Sequence, residues 1–379
     1  RLALFENCFP IPRGVSYNAY CLLDEKTVLF DTVDWSACRQ LLENLAYVLD
    51  GRELDYLLVN HLEPDHAACI EEILLRHPKV KLISNEKAFM LMRQFGFHVD
   101  GHECIEVKEG DTFSFGKHTV TFVGAPMVHW PEAMVTLDVT DGVLFSADAF
   151  GTFGALDGKL FADEVDFERD WLDDARRYLT NIVGKYGPQV QALLKKVSAL
   201  EIKTICPLHG PVLTEGLEEC LRLYDLWSQW KPEEPEGILI AHASIHGNTA
   251  HAAKTLKGKL EKKGVQVNIC DLTVTDLSYA VASAFYCGKL VLASATYDGG
   301  LFPPMREFLE HLRTKGFRNR RIGLMENGSW APAAARLMRT KLEEMKDIHL
   351  YETVVSLRGA LNQTSEAQMD ALVAELCAE

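Results

Sequence analysis

Short apolar strands alternate with helices after residue 237, and this alternation strongly limits what the C-terminal part of the chain can fold into. The strands are predicted at 238–241, 265–269, 290–294 and 321–324. The helices are predicted at about 248–263, 275–284, 304–313 and 332–345. This order is typical of a parallel sheet that helices cover on both faces. We therefore predict an α/β fold for this part.

The N-terminal part has a different pattern, in which strands dominate. Short apolar strands are predicted at 27–31, 56–59, 80–83, 119–122, 134–137 and 143–145. Proline and charged residues then interrupt the apolar pattern at 230–237, directly before the second part begins. We expect two domains, 1–232 and 237–379, which suits a chain of 379 residues.

The two parts also differ in charge. Residues 1–236 carry 22 basic and 39 acidic side chains, a net charge of −17, whereas residues 237–379 carry 17 and 15, a net charge of +2. The total of −15 argues against a nucleic-acid-binding protein, because phosphate contacts need a basic surface. Five basic residues lie close together in the second part, namely Arg313, Lys315, Arg318, Arg320 and Arg321. Such a run predicts a solvated loop or, alternatively, a docking edge for an acidic partner.

Cysteine usage and hydropathy address the cellular location. The ten cysteines are scattered and form no C-x-x-C pair, which is typical of free thiols in a reducing compartment and excludes a rubredoxin-type iron module within these residues. No segment has the roughly 18 apolar residues of a membrane-spanning helix, and the N-terminal residues lack the pattern of a signal peptide. We expect a cytoplasmic protein without a membrane partner.

Metal-binding side chains cluster directly after the strand predicted at 56–59. They are His61, Glu63, Asp65 and His66. Alternate residues of an extended segment point to the same side, so the first two can share one ion while the last two turn toward another. Later apolar strands are followed by three further candidates, His129, Asp148 and His209. These imidazole and carboxylate ligands suffice for two metal ions if one carboxylate bridges them.

Three loops at predicted strand ends of the second part contain hydroxyl residues and glycine. They are Ser244-Ile245-His246-Gly247-Asn248-Thr249, Ser294-Ala295-Thr296-Tyr297-Asp298-Gly299 and Asn327-Gly328-Ser329-Trp330. Open α/β sheets bind ligands at the carboxyl ends of their strands, and a helix N-terminus after the first loop favours a phosphate. Tyr297 and Trp330 offer aromatic faces for a planar ring, and no G-x-G-x-x-G motif indicates a dinucleotide.

The ligand spacing and the loops together resemble the flavodiiron protein family, also called A-type flavoproteins. Sixty-two residues lie between His66 and His129, 18 between His129 and Asp148, and 60 between Asp148 and His209. The resemblance implies a metallo-β-lactamase-like αββα sandwich followed by a flavodoxin-like, doubly wound parallel sheet, in the family's minimal two-domain form. It also implies FMN, bound by the three loops, and two non-haem iron ions per chain.

The resemblance further implies how the ligands divide. One iron would take His61, Glu63 and His129, the other would take Asp65, His66 and His209, and Asp148 would bridge them. In some family members the histidine at the position of His66 turns away from the metal. The related zinc hydrolases have H-x-H-x-D-H in this loop, whereas Glu63 is a harder, anionic ligand that suits ferric iron. Departures from the flavodoxin pattern at His246, Ala295 and Asp298 leave the contacts to the flavin ring open.

By the same resemblance, the chain is expected to be an oxidoreductase that passes electrons from FMN to the diiron site and reduces O2 to water. Reduction of NO to N2O at that site is the close alternative, and no residue decides between the two gases. A zinc hydrolase with a fused flavodoxin and a non-catalytic electron carrier are alternatives of other classes. The family implies a redox donor, such as a rubredoxin-like protein, a reduced deazaflavin or a reductase. It also implies a head-to-tail homodimer or a homotetramer.

Overall fold

The computed structural model describes residues 3–378. The chain divides into two compact units, Arg1–Asp225 and Leu226–Glu379, so the division precedes the segment at 230–237. No helix in the described part of the chain is long and apolar enough to span a membrane.

The first unit is built on two five-stranded sheets. Its strands are β1 (Leu4–Phe5), β2 (Phe9–Pro10), β3 (Tyr20–Leu23), β4 (Thr27–Phe30), β5 (Tyr56–Leu58), β6 (Lys81–Ser84), β7 (Cys104–Glu106), β8 (Thr112–Ser114), β9 (Thr119–Gly124), β10 (Met134–Asp138), β11 (Val143–Phe145) and β12 (Thr204–Cys206). The sheets have the orders β3-β4-β5-β6-β7 and β12-β11-β10-β9-β8, while β1 pairs with β2.

Helices connect these strands. They are α1 (Cys38–Leu49), α2 (Pro64–Ala67), α3 (Ile70–Arg76), α4 (Glu86–Gln94), α5 (Phe167–Asp170), α6 (Leu172–Tyr178), α7 (Gly187–Val197) and α8 (Leu217–Ser228). Short 3₁₀ turns lie at Trp35–Ala37, Val99–Gly101, Ala162–Glu164 and Gly184–Tyr186, and a π turn lies at Leu179–Val183.

Alternating burial along the strands explains the layers of this unit. In β9, Val120 and Phe122 are buried and alternate with half-buried threonines. They share one core with Phe30 of β4, so this core lies between the two sheets. The outer face of the first sheet packs against helices, as shown by Leu45 of α1 and Leu57 of β5 in a second core.

The second unit is a parallel sheet. Its strands are β13 (Glu234–Ala243), β14 (Val267–Asp271), β15 (Cys287–Tyr297), β16 (Gly300–Leu301), β17 (Arg320–Asn327) and β18 (Ile348–Leu357), and its helices are α9 (Asn248–Glu261), α10 (Leu277–Tyr286), α11 (Pro303–Thr314), α12 (Ala334–Leu342) and α13 (Gln363–Cys377). The order is β14-β13-β15-β17-β18, with the short β16 antiparallel to β15. This is the flavodoxin-like order, so the predicted doubly wound sheet is confirmed.

The structure of the second unit differs from the sequence prediction in three local features. The first strand begins at Glu234, inside the segment predicted to be a joint, and the last strand and helix, β18 and α13, were not predicted. The basic run extends from α11 into β17, and only its middle part, which includes Lys315 and Arg318, lies in a loop. Arg320 is only 1% exposed, and its guanidinium donates hydrogen bonds to the carbonyl oxygens of Trp230, at 2.6 Å, and Phe285, at 2.7 Å. This cation therefore holds chain segments together instead of facing solvent.

Candidate metal and flavin sites

The first cluster of predicted ligands lies in the loop between β5 and α2. Glu63 has extended backbone angles and precedes Pro64, the first residue of α2. Proline favours the first turn of a helix, so the extended segment ends there. Asp31 holds the start of the loop, because its Oδ1 accepts hydrogen bonds from the backbone N–H groups of Asn60, at 2.7 Å, and His61, at 3.1 Å.

The structure brings all seven predicted ligands together in two adjacent groups. One group is His61, Glu63, His129 and Asp148, the other is Asp65, His66 and His209, and the ligand atoms within each group lie within 4.8 Å of one another. In the first group, Glu63 Oε2 lies 2.9 Å from His129 Nε2 and 3.5 Å from His61 Nε2. In the second, Asp65 Oδ2 lies 3.3 Å from the Nε2 atoms of both histidines.

Asp148 faces both groups with different oxygens. Its Oδ2 lies 3.0 Å from His129 Nε2 and 3.4 Å from His61 Nε2. Its Oδ1 lies 3.1 Å from His66 Nε2 and 3.6 Å from His209 Nε2. A carboxylate in this position can bridge two ions, and His66 points toward the site in this structure.

Several of these ligand atoms are buried without a hydrogen-bond partner among the described residues. They are His61 Nε2, Glu63 Oε2, Asp65 Oδ1 and Oδ2, and Asp148 Oδ1. Burying a polar atom without a partner costs roughly 1–3 kcal/mol, and more for charged groups. Metal coordination would satisfy these atoms, and a mixed imidazole and carboxylate set suits non-haem iron. The residues therefore fit the metal that the sequence predicts.

The second unit contains a cavity of about 460 Å³ at the carboxyl ends of its parallel strands. Of the predicted flavin residues, those that line it are Ser244, Ile245, His246, Asn248, Thr249, Ala295, Thr296, Tyr297, Asp298, Gly299, Asn327, Gly328, Ser329 and Trp330. The N-terminus of α9 borders the cavity and leaves backbone N–H groups that can bind a phosphate. Trp330 is 87% exposed, so its indole is available to a planar ring. These features fit a flavin mononucleotide.

Two predicted flavin residues do not line this cavity, and two residues that line it were missed. Ser294 is fully buried and its hydroxyl donates to the carbonyl oxygen of Ala295. Gly247 has a φ of +93° and shapes the start of α9, with its N–H donating to Ser244 Oγ at 3.1 Å. Ala331 and Gly359 complete the lining. Neither residue has a side chain whose chemistry could have revealed it in the sequence.

Comparisons with known proteins identify the family. Residues 15–210 match the family model described as ODP family beta lactamase. The anaerobic nitric oxide reductase flavorubredoxin of Aeromonas hydrophila is 30% identical over 335 residues, which cover 87% of this chain and 67% of that protein. This chain belongs to the flavodiiron protein family. The predicted family, fold class and oxidoreductase class are thereby confirmed.

Solved structures agree with this identification. The rubredoxin oxygen:oxidoreductase of Desulfovibrio gigas has a TM-score of 0.90 and 26% identity, with 99% of this chain and 95% of that chain covered. A flavo di-iron protein from Thermotoga maritima has a TM-score of 0.88 and 25% identity, with 99% and 94% covered. The family implies a flavin and non-haem iron, and the first unit has the metallo-β-lactamase-like fold.

The ligands of this flavodiiron protein strongly influence one another's protonation. Burial disfavours the charged imidazole of His129, but its hydrogen bond to Asp148 and the nearby carboxylate of Glu63 outweigh burial and raise its pKa to about 9. The pKa of His61 is likewise raised, against its burial, mainly by the charge of Asp148. Burial alone would raise the pKa of Asp148, yet the charges of His66 and His61 hold it well below its ordinary value. Without a bound metal, His61 and His129 would carry protons beside the ionised carboxylate of Asp148.

Iron binding to the metal-free protein is expected to strengthen as the pH rises from about 6 to 9. Below the raised pKa of about 9, His129 carries a proton that it must lose before it can bind a metal. Competition titrations with a chelator under anaerobic conditions, at several pH values, measure this affinity. A His98→Ala variant is the control, since His98 is exposed and pairs with Glu71 outside the site. An affinity that does not change with pH would contradict the expectation.

Two residues that orient these side chains, Glu132 and Ser16, were not predicted from the sequence. Glu132 is only 1% exposed, and its Oε1 lies 3.0 Å from His61 Nδ1 and accepts the backbone N–H of Leu62 at 3.0 Å. The carbonyl oxygen of Ser16 accepts a hydrogen bond from His209 Nδ1 at 2.7 Å. Such partners leave the other ring nitrogen free to bind metal. An acidic residue three positions after His129 was the only signal for Glu132, and a backbone carbonyl leaves no signal.

Replacing Glu132 with glutamine is expected to weaken iron binding by about 10–100-fold while the protein still folds. Glutamine keeps the shape of the side chain but removes the charge that holds the His61 ring and supports its basicity. Chelator competition measures the affinity, and Glu103→Gln, at an exposed glutamate, is the matched control. Equal affinities for both variants would show that Glu132 does not position His61.

Proposed function

We propose that this flavodiiron protein reduces O2 to water, with electrons that pass from FMN to a diiron centre. The observation that carries the proposal is Asp148, whose two oxygens face two adjacent groups of ligands. When bound, two iron ions would supply the redox chemistry for a diatomic gas, and FMN would supply the electrons. The similarity to a rubredoxin oxygen:oxidoreductase, at 26% identity over nearly the whole chain, supports O2 as the substrate.

The residue assignments follow from the two groups. His61, Glu63 and His129 would hold one iron ion, Asp65, His66 and His209 would hold the other, and Asp148 would bridge them. The residues that line the cavity of the second unit would hold FMN. Its phosphate would lie at the N-terminus of α9, and its ring would lie against Tyr297 and Trp330.

Aromatic rings surround the second group of ligands. The ring centroids of Phe5, Tyr17 and Tyr178 lie 5.3, 5.7 and 5.4 Å from that of His209. Apolar rings exclude water and leave surroundings that favour a small apolar gas over a polar, hydrolysable substrate. The hydroxyl of Tyr178 is buried, without a hydrogen-bond partner among the described residues. Burial raises the pKa of Tyr178, so this hydroxyl keeps its proton and can donate it in a hydrogen bond.

Reduction of NO to N2O at the same site is the second candidate. The curated relative that is 30% identical to this chain is named an anaerobic nitric oxide reductase. The same two groups of ligands suit both gases, because each reaction needs two adjacent metal ions. Membership in an oxidoreductase family argues against the zinc hydrolase that was considered as an alternative from the sequence. The carboxylate of Glu63, which suits iron, agrees with this conclusion.

The partners and the location remain predictions. A redox donor protein or reduced carrier would deliver electrons to the flavin. A head-to-tail homodimer, or a homotetramer, would bring together an acidic and a slightly basic module, with net charges of −17 and +2. The ten cysteines are scattered along the chain without a C-x-x-C pair, which supports the prediction of a cytoplasmic protein.

Side-by-side gas consumption tests this proposal. Protein that contains iron and FMN is reduced anaerobically with one artificial donor system, and O2 and NO electrodes then record the rates. Faster loss of O2 without release of peroxide would support a water-forming oxidase. Faster loss of NO would make NO reduction the primary function. If neither gas is consumed, the catalytic proposal fails and the protein is an electron carrier.

A further inference from the structure

A third group of metal-binding side chains lies in the first unit, away from the diiron ligands. It comprises His118, Asp138 and Asp141. Asp138 ends β10, whereas the backbone N–H of Met134, at the other end of that strand, donates to the carbonyl oxygen of Asn60 beside His61. Since a strand rises about 3.4 Å per residue, the length of β10 separates the two places by roughly 14 Å.

The three side chains converge like the ligands of one ion. His118 Nε2 lies 3.2 Å from Asp141 Oδ2 and 4.0 Å from Asp138 Oδ2, and one ligand atom from each residue lies within 4.8 Å of the others. The Asp138 side chain is only 6% exposed. Its Oδ1 accepts the backbone N–H of Thr140 at 3.0 Å, while its Oδ2 accepts no hydrogen bond from the described residues. Asp138 Oδ2 is therefore available as a ligand for a cation.

A fourth residue, Asp24, orients the imidazole of His118. Asp24 Oδ2 accepts the backbone N–H of His118 at 2.7 Å and lies 3.0 Å from its Nδ1. An ionised carboxylate can only accept, so the hydrogen bond places a proton on Nδ1. The lone pair of Nε2 can then face the other two aspartates. In most metal sites, a binding histidine uses one ring nitrogen for the metal and donates a hydrogen bond from the other to a carboxylate. The pair of His118 and Asp24 has this arrangement.

The surrounding charge also favours a cation. Three carboxylates, those of Asp24, Asp138 and Asp141, lie within 3.0 to 4.0 Å of the ring nitrogens of His118. A proton on Nε2 can partly balance these carboxylates. A divalent ion would balance them better and would release that proton on binding.

We propose that His118, Asp138 and Asp141 bind a divalent transition-metal ion, by preference Zn²⁺, in a structural site separate from the diiron centre. Calcium and magnesium prefer sites made of oxygen ligands only, and thiolates are absent from the group. Zinc accepts mixed nitrogen and oxygen ligands in a tetrahedron, in which water can take the fourth position, and it binds such sites more tightly than Mn²⁺ or Fe²⁺ does.

The ion would connect two turns of one sheet and, only through the hydrogen bond between His118 and Asp24, reach a turn of the other sheet. Asp24 lies between β3 and β4 of one sheet, whereas His118 lies between β8 and β9 of the other. Asp141 lies between β10 and β11. A ligand that binds only the folded state raises its stability, so zinc is expected to stabilise the first unit against unfolding.

Calorimetric titration with ZnCl2 tests the site, with the protein already loaded with iron and FMN. Wild-type protein is expected to bind one zinc ion that an Asp141→Asn variant binds at least about 10-fold more weakly. Asp24→Asn is expected to weaken binding by about 10–100-fold without removing a ligand. Asp100→Asn is the matched control, because Asp100 is an exposed carboxylate that pairs with Arg93 elsewhere in the unit. Anomalous diffraction at the zinc edge should show a peak between His118, Asp138 and Asp141.

Three results would overturn the proposal. Equal zinc affinities for wild-type protein and Asp141→Asn would show that Asp141 is not a ligand, and an equal loss in Asp100→Asn would show non-specific binding. An anomalous peak at the diiron ligands alone would show that zinc binds there and not at the proposed site. Asp141 is 63% exposed in a turn, so its substitution should not prevent folding, and unchanged FMN content and gas consumption verify this.

Discussion

Replacing Asp148 with asparagine is expected to lower the iron content below one ion per chain and the rate of gas reduction by at least about 100-fold. The carboxylate is 1% exposed, and its two oxygens serve different groups of imidazoles. An asparagine would present an NH2 group to one of them and would remove the negative charge that both groups share. The two metal positions would therefore lose their common ligand.

Metal analysis and gas electrodes measure this loss. Asp163→Asn is the control for loss of a carboxylate, since Asp163 lies outside the site and accepts a hydrogen bond from Thr214. FMN content should stay at the wild-type level, because the residues that line the flavin cavity all belong to the second unit. A variant that keeps two iron ions and full activity would disprove the bridging role of Asp148.

Replacing Glu63 with histidine is expected to change which metal the site holds. The variant would have the H-x-H-x-D-H pattern of the related hydrolases, with an imidazole in place of a carboxylate oxygen that now lies 2.9 Å from His129 Nε2. A neutral ligand stabilises ferric iron less than an anionic one does, whereas zinc accepts either. We expect zinc to replace iron in cells that contain both, and gas reduction to fall by at least about 100-fold.

The conservative variant Glu63→Asp separates charge from shape. It keeps a carboxylate on a shorter side chain, so it should retain more iron than Glu63→His does. Metal content after growth in medium with equal iron and zinc is the measurement, with gas consumption as the second readout. If Glu63→His still binds iron and reduces O2 at the wild-type rate, the carboxylate does not select the metal.

The seven residues predicted as ligands lie together in the structure, and local signals marked several of them in the sequence. His61, Asp148 and His209 follow apolar strands, and strand ends can be recognised from periodicity and turn residues. The flavin loops follow parallel strands in the same way. Elements without such a signal were missed or misplaced, including β18, α13 and the start of β13.

The sequence by itself determined the two fold classes, the candidate metal ligands and the loops around the cavity of the second unit, because short-range patterns encode them. Only the tertiary structure decided which distant atoms meet. It placed the two oxygens of Asp148 between two groups of ligands, Glu132 behind His61, and the guanidinium of Arg320 among backbone carbonyls. It also brought His118 to Asp138. These contacts depend on how strands and turns pack across the sandwich and the sheet, and no periodicity along the chain records that packing.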